Sequence, residues 1–378
     1  MQTAMGSSLI ADLNPLKAAY QALQWMKNGL ALAHKNSAAQ VKKTLFPQYP
    51  PLSVHSLEPE TLSYLQQRYQ ALLDQDWADA NAGVYPVELL FDTPWHEVLQ
   101  FYPKVWLDLP DTWRRAHSKN YQEFSEEVDT SGYPNYYLQN FHYQTNGYLS
   151  DTSAQLYDLQ VEILFGGMAD PMRRRILPLL QQGLAQMGVQ TMRSPKILDM
   201  ACGTGRTLSH LRATWPQAQL FGVDLSPAYL QKAKSLLQEQ AGKMPELQQA
   251  NVESLPYASD SFDAVTSVFL FHELPAAARQ NAINDCFRVL KPGGVLIICD
   301  SIQLSDSSQL APMMSNFDLY FHEPYYKHYI QDDLTQRLEN AGFESVATEV
   351  HFLSKYWSAR KPELNSDAAS ELPPMAAI

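Results

Sequence analysis

The stretch from Lys196 to Arg206, Lys-Ile-Leu-Asp-Met-Ala-Cys-Gly-Thr-Gly-Arg, constrains this chain more than any other. Ile197 and Leu198 form a short buried strand and Asp199 ends it. Ala201, Gly203 and Gly205 then keep a turn clear of side chains, so the backbone can approach a bound molecule before a helix begins near Thr207. Many nucleotide-binding loops share a strand-glycine-helix pattern of this kind, and the spacing to later segments narrows it. A second strand, Gln219 to Val223, ends in Asp224, which follows Asp199 by 25 residues, the length of one strand-helix-strand unit. An acid at that strand end can accept hydrogen bonds from a ribose.

Three further segments follow in order. Gln249 to Tyr257 lies where a third strand ends, Asp260 to Val265 opens a fourth, and Leu290-Lys291-Pro292-Gly293-Gly294 turns into the apolar strand Val295 to Cys299. Together, over residues 195 to 360, these motifs resemble the class I S-adenosylmethionine-dependent methyltransferases. The resemblance implies that Asp199 and the turn Ala201, Cys202, Gly203, Thr204 and Gly205 hold the methionine end of S-adenosylmethionine. Asp224 takes the ribose, Leu225 and Val252 sandwich the adenine, Asn251 meets its amino group, and Phe269 borders the same site. Two positions depart from the family pattern: Ala201 replaces a glycine and Asn251 an aspartate.

The strands near 196–200, 219–223, 246–250, 262–269 and 294–300, with two more after Gly342, alternate with helices near 176–188, 226–240, 276–290 and 332–341. This predicts a Rossmann-like, doubly wound α/β fold with a seven-stranded, mostly parallel sheet. Preceding it, residues 1–145 read as a mainly helical accessory or lid domain. Residues 1–13 are expected to fray. Asn14-Pro15 then caps a helix with Leu16, Tyr20, Leu23, Met26 and Leu30 on one stripe. Pro47, Pro50 and Pro51 mark a linker, and a second helix runs from Pro59 to Asp74 with Leu62, Leu65, Tyr69, Leu72 and Leu73 buried. Residues 77–145, dense in aromatic rings and punctuated by proline, predict short helices packed by large rings. Residues 146–195 connect the two parts, and 361–378 read as a disordered tail.

Within the connection, Tyr157-Asp158, Phe165-Gly166-Gly167 and Arg173 to Arg175 are similar to the lead-in segment of ubiquinone and menaquinone C-methyltransferases. That resemblance implies a segment folded over the cofactor, with Tyr157 lining the pocket.

The chain carries a net charge of −12 over 378 residues, which disfavours nucleic acid as a partner because phosphate backbones call for a basic face. Its first 46 residues are locally basic, so an interfacial helix on anionic lipid stands against a helix packed on its own protein or a partner, the favoured reading. The three cysteines suggest no disulfide framework, no metal-ligand spacing occurs, and no apolar run approaches the roughly 20 residues of a membrane span. A cytoplasmic enzyme is the expectation.

Ligands of open parallel sheets sit at the carboxyl ends of the strands, so the acceptor belongs near Phe269 to Pro275 and Asn316 to Tyr329. Proton removal from the acceptor singles out His272, then His322 and Glu323, with Tyr157 beside them. The expected reaction is in-line methyl transfer to a small aromatic or lipophilic acceptor at carbon or oxygen, with nitrogen possible, releasing S-adenosylhomocysteine. A cofactor-binding scaffold without activity and a protein or peptide methyltransferase are the alternatives. Oligomeric state is left open.

Overall fold

The alternating apolar residues of β1 (Lys196–Met200) divide the molecule into two cores. Leu198 and Met200 point into one, Ile197 into the other, as a strand covered on both faces requires. The computed structural model describes residues 14–50, 57–188 and 193–363; the expectations for residues 1–13, for Pro51 and for the tail beyond 363 lie outside these. β1 is flanked by β2 (Gln219–Asp224) and β4 (Phe262–Val268), and β3 (Glu246–Gln249) and β5 (Leu290–Ser301) lie outside them, all parallel. β6 (Glu344–His351) and β7 (Ser354–Arg360) complete the order β3-β2-β1-β4-β5-β7-β6. Only Phe352 and Leu353 connect β6 to β7, too short a link for a crossover. β7 therefore runs antiparallel to both neighbours.

Helices cover both faces. α1 (Pro15–Leu45), α2 (Pro59–Asn81), α3 (Trp95–Ser118), α4 (Asp151–Leu164), α5 (Ala169–Arg174) and α6 (Ile176–Gln186) precede the sheet. α7 (Arg206–Thr214), α8 (Pro227–Gln238) and α9 (Ala276–Val289) join its strands. α10 (Ala311–Tyr320), α11 (Tyr326–Tyr329) and α12 (Leu334–Asn340) lie between β5 and β6. The mostly parallel seven-stranded sheet agrees with the sequence reading. Among the described residues no helix is long and apolar enough to cross a membrane.

The N-terminal helices share a core with the sheet: Tyr20, Leu72, Leu73 and Trp77 pack in one cluster with Ile297, Cys299 and Tyr356. Inside this contact Asp76 is fully engaged. It accepts from Arg174 Nε and Nη2 at 3.0 and 2.6 Å, from Tyr85 Oη at 2.6 Å, and from Tyr20 Oη.

Asn14 caps α1 as expected, its Oδ1 accepting from the N–H groups of Leu16 and Lys17. The expected stripe holds only in part: Tyr20 is buried and Leu23 half-buried, but Leu16, Met26 and Leu30 are exposed, and Gln24, Ala31 and His34 complete the buried face. The reason lies in the partner surface, which is polar and closely approached. Lys27 pairs with Glu162, and Lys35 Nζ donates to the carbonyl of Leu164. At the crossing, a Cβ on Gly167 (φ +86°) would stand 2.7 Å from that of Lys27. The basic residues of α1 thus serve internal packing in part. α2 runs seven residues further than expected and leaves Leu62 exposed. In place of short helices, residues 95–118 form one long helix through Pro103 and Pro110, each of which removes one helical donor. Lys361, assigned to the tail, is anchored by its backbone N–H to the carbonyl of Gly294.

Candidate functional site

At the carboxyl end of β1 the chain turns through Ala201 (φ +57°), Gly203 (φ +52°) and Gly205 (φ +85°). Glycine adopts this left-handed backbone freely, whereas Ala201 does so against its Cβ. Gly205 serves packing: a Cβ there would lie 3.0 Å from that of Ala233 on α8. Gly203 faces open space, with nothing nearer than 3.9 Å to a built Cβ. The turn is tied to β2 through Cys202, whose N–H donates to the carbonyl of Val223, and through Gly203, whose N–H donates to Asp224 Oδ2 at 2.9 Å. Ser226 N–H donates to Asp224 Oδ1 at 2.8 Å. Burial raises the carboxyl of Asp224 to about 6, against the pull of these backbone donors.

Asp199 lies beneath the turn. Its Oδ1 accepts from Thr266 Oγ1 at 2.7 Å, while the buried Oδ2 has no partner. Burial pushes its carboxyl up to about 7. Ala201, Gly203, Asp224, Leu225, Val252 and Phe269 line a cavity of about 90 Å³. Opposite them stand the rings of Tyr136, Tyr137, Phe141, Tyr148, Tyr157 and Tyr229. Asp199, Cys202, Thr204, Gly205 and Asn251 do not line it: Thr204 Oγ1 donates to Asp158 at 2.9 Å, and Asn251 Oδ1 accepts from Glu253 N–H at 2.9 Å. Cys202 is buried.

A second cavity of about 70 Å³ adjoins the first, and Tyr157, Phe269 and Glu273 wall both. His142, Phe165 and His272 add to its lining. Phe269 takes a left-handed backbone (φ +59°), an uncommon one for a bulky residue, and stacks on Phe165 at 5.7 Å. His272 is buried with Nδ1 2.6 Å from Asp300 Oδ1, and Asp300 Oδ2 accepts from the N–H of Phe271 at 2.6 Å. Burial alone would lower His272, but Asp300 together with Glu323 and Glu273 outweighs it and raises the ring to about 9. The Nε2 atom lies 3.9 Å from Glu273 Oε1, which accepts from Tyr148 Oη at 2.5 Å.

Of the four residues singled out for proton transfer, the fold thus brings His272 and Tyr157 to this cavity. Glu323 lies just behind, 2.9 Å from His142 Nε2. His322 stands apart, stacked on Tyr121 at 4.0 Å with Nε2 3.0 Å from Gln139 Oε1, and burial pushes it down to about 4. Sequence reasoning passed over Asp300, Glu273 and His142. An acid at the tip of β5, beside the histidine after β4, is a signal that could have identified Asp300.

The S-adenosylmethionine implied by the sequence fits these residues. Asp224 and the open space over Gly203 border the cavity directly, where a side chain on Gly203 would fill it, and the unpartnered Asp199 Oδ2 lies beneath the turn without lining the cavity. The volume is below the roughly 300 Å³ usual for ligand pockets, and tyrosine rings supply much of the lining.

A methyltransferase-domain family profile matches residues 197–294. The ubiquinone/menaquinone biosynthesis C-methyltransferase of Syntrophotalea carbinolica is 36% identical over 155 residues, 41% of this chain and 60% of that protein. A demethylmenaquinone methyltransferase of Lactococcus lactis is 35% identical over 127 residues, 33% of this chain and 48% of its own. An uncharacterized methyltransferase of Synechocystis sp. is 30% identical over 156 residues, 41% of this chain and 70% of that protein. The chain spans about half to three fifths of the length of the first two relatives.

Proposed function

Because the chain belongs to the class I S-adenosylmethionine-dependent methyltransferases, we propose that it methylates a small aromatic or lipophilic acceptor, at carbon or oxygen in preference to nitrogen. The observation that carries this reading is the pair of adjoining cavities sharing Tyr157, Phe269 and Glu273, one bounded by the glycine turn and Asp224, the other by His272. When bound, S-adenosylmethionine supplies an electrophilic methyl group.

In this reading Ala201 and Gly203 of the turn, with Asp199 beneath it, hold the methionine end, Asp224 accepts from the ribose, and Leu225 and Val252 flank the adenine; Asn251 reaches its edge only by releasing the N–H of Glu253. The stretch before residue 146 acts as the lid. Tyr136, Tyr137 and Phe141 belong to it, and with Tyr148, Tyr157 and Tyr229 they move outward to admit the nucleoside and exclude water once it is seated. His272, fixed through Nδ1 by Asp300, presents Nε2 to the acceptor. It takes the proton that the acceptor sheds only in its neutral form, the minor one at neutral pH for a ring raised to about 9, so turnover should rise with pH towards 9. Tyr157 and Phe269 orient the acceptor ring from the shared wall. A cavity of about 70 Å³ suits a small ring better than a peptide segment.

The test incubates the protein and a metabolite extract with S-adenosylmethionine carrying an isotopic methyl label, followed by mass spectrometry. A labelled product of low molecular mass is expected. Cofactor binding without any labelled product would favour a scaffold, and label found only in protein would favour a protein methyltransferase.

A further inference from the structure

Behind the acceptor cavity three side chains from distant parts of the chain converge: His142 from the stretch before α4, Glu273 from the loop after β4, and Glu323 from the loop between α10 and α11. We propose that they bind a divalent transition-metal cation of the zinc or manganese type.

Geometry is the first ground. His142 Nε2 lies 2.9 Å from Glu323 Oε1 and 3.7 Å from Glu273 Oε1. Two ligands each about 2.1 Å from one ion are separated by at most about 4.2 Å, so both pairs can share an ion. All three ligand atoms lie within 4.8 Å of one another, and a small rotation of one carboxylate closes the remaining pair.

The second ground is an independent one. Glu323 is 3% exposed; its Oε1 pairs with His142 Nε2 at 2.9 Å, while its buried Oε2 has no partner. Protonated His142 compensates one of the two carboxylates, Glu323 and Glu273, and leaves one negative charge over within the triad. A buried carboxylate left this way is costly unless a charge compensates it. A divalent cation neutralises two carboxylates beside a neutral imidazole.

The support around the three ligands is also built. His142 holds a left-handed backbone (φ +53°), and its N–H donates to the carbonyl of His322 at 3.2 Å, clamping the two ligand-bearing loops together. Tyr148 Oη donates to Glu273 and orients it. Imidazole and carboxylate donors suit zinc and manganese. His142 and Glu273 also line the acceptor cavity, so an open coordination position faces the acceptor and would hold an acceptor oxygen. That last role rests on the proposed methyl transfer; binding of the ion does not. Glu273 and Glu323 lie 131 and 181 residues beyond His142, which is why no metal-ligand spacing is visible in the sequence.

The experiment strips the full chain with a chelator, dialyses it against zinc or manganese chloride, removes free metal and measures bound metal by mass spectrometry. One ion per chain is expected, with binding weakened more than about tenfold in Glu323→Gln and in His142→Gln while circular dichroism is unchanged. X-ray absorption on the zinc-loaded wild-type chain should show only nitrogen and oxygen neighbours at about 2.0–2.1 Å. No stoichiometric ion in the wild type, equal retention by both variants, or a sulfur neighbour, which none of the three ligands can supply, would each overturn the site. Metal content is read without turnover, so loss of methyl transfer alone leaves this result standing.

Discussion

The two walls of the proposed site are built in opposite ways. The cofactor-side wall, from Asp199 through Asp224 to Val252, comes from consecutive strand tips, and backbone N–H groups of Gly203 and Ser226 hold its acid. The acceptor-side wall draws His142, Tyr157, His272, Asp300 and Glu323 from five separate segments, held by side-chain pairs such as His272–Asp300. Turns and backbone hydrogen bonds are local, so a sequence motif encodes the first wall. Ion pairs between distant loops depend on the whole fold, so no motif encodes the second.

Substitutions should separate the walls. The largest effect is expected from His272→Ala, which should lower kcat by about 100-fold or more while leaving cofactor affinity within about twofold. Steady-state kinetics with binding calorimetry reads both, and parallel losses would merge the two walls into one unit. Next, Asp224→Ala should weaken S-adenosylmethionine binding by about 1 to 3 kcal/mol, with kcat at saturating cofactor little changed. Unchanged calorimetric affinity would remove Asp224 from the cofactor wall.

A pH titration sharpens the same division. Asp199 is raised to about 7 by burial, so it is a carboxylate above that pH and neutral below it. Cofactor affinity should therefore fall by up to about tenfold per unit as pH drops below 7, and level off above. Asp199→Asn should flatten that dependence. The same shift has the opposite sign for the free protein, because the folded state favours the protonated form. Its stability should decline as pH rises from about 4 towards 7. The smallest effect belongs to Ala201→Gly. Relief of the left-handed alanine should raise stability by up to about 1 kcal/mol in a denaturant titration, partly offset by the greater freedom of glycine in the unfolded chain.

Much of this was legible beforehand. The turn at 201–205, the acid at 224 and the two last strands lie where the pattern of apolar runs and small residues placed them. The failures are equally specific. Leu16, Met26 and Leu30 look like the buried stripe of α1, but the surface receiving that helix carries Glu162 and the Gly166-Gly167 bend, so a polar face turned inward. The Phe-Gly-Gly run, expected to fold over the cofactor, also has a packing role that the sequence did not show. In the structure its glycines make room for α1, while Phe165 reaches the acceptor cavity.

Sequence alone determined the parallel sheet and its ligand-bearing edge, because strand periodicity and glycine turns act over a few residues and need no distant partner. Tertiary structure decided which acids and histidines meet behind that edge and which tyrosines close it. Burial and charge pairing operate through space, and residues as far apart as His142 and Glu323 come within 2.9 Å only when every intervening element is in place.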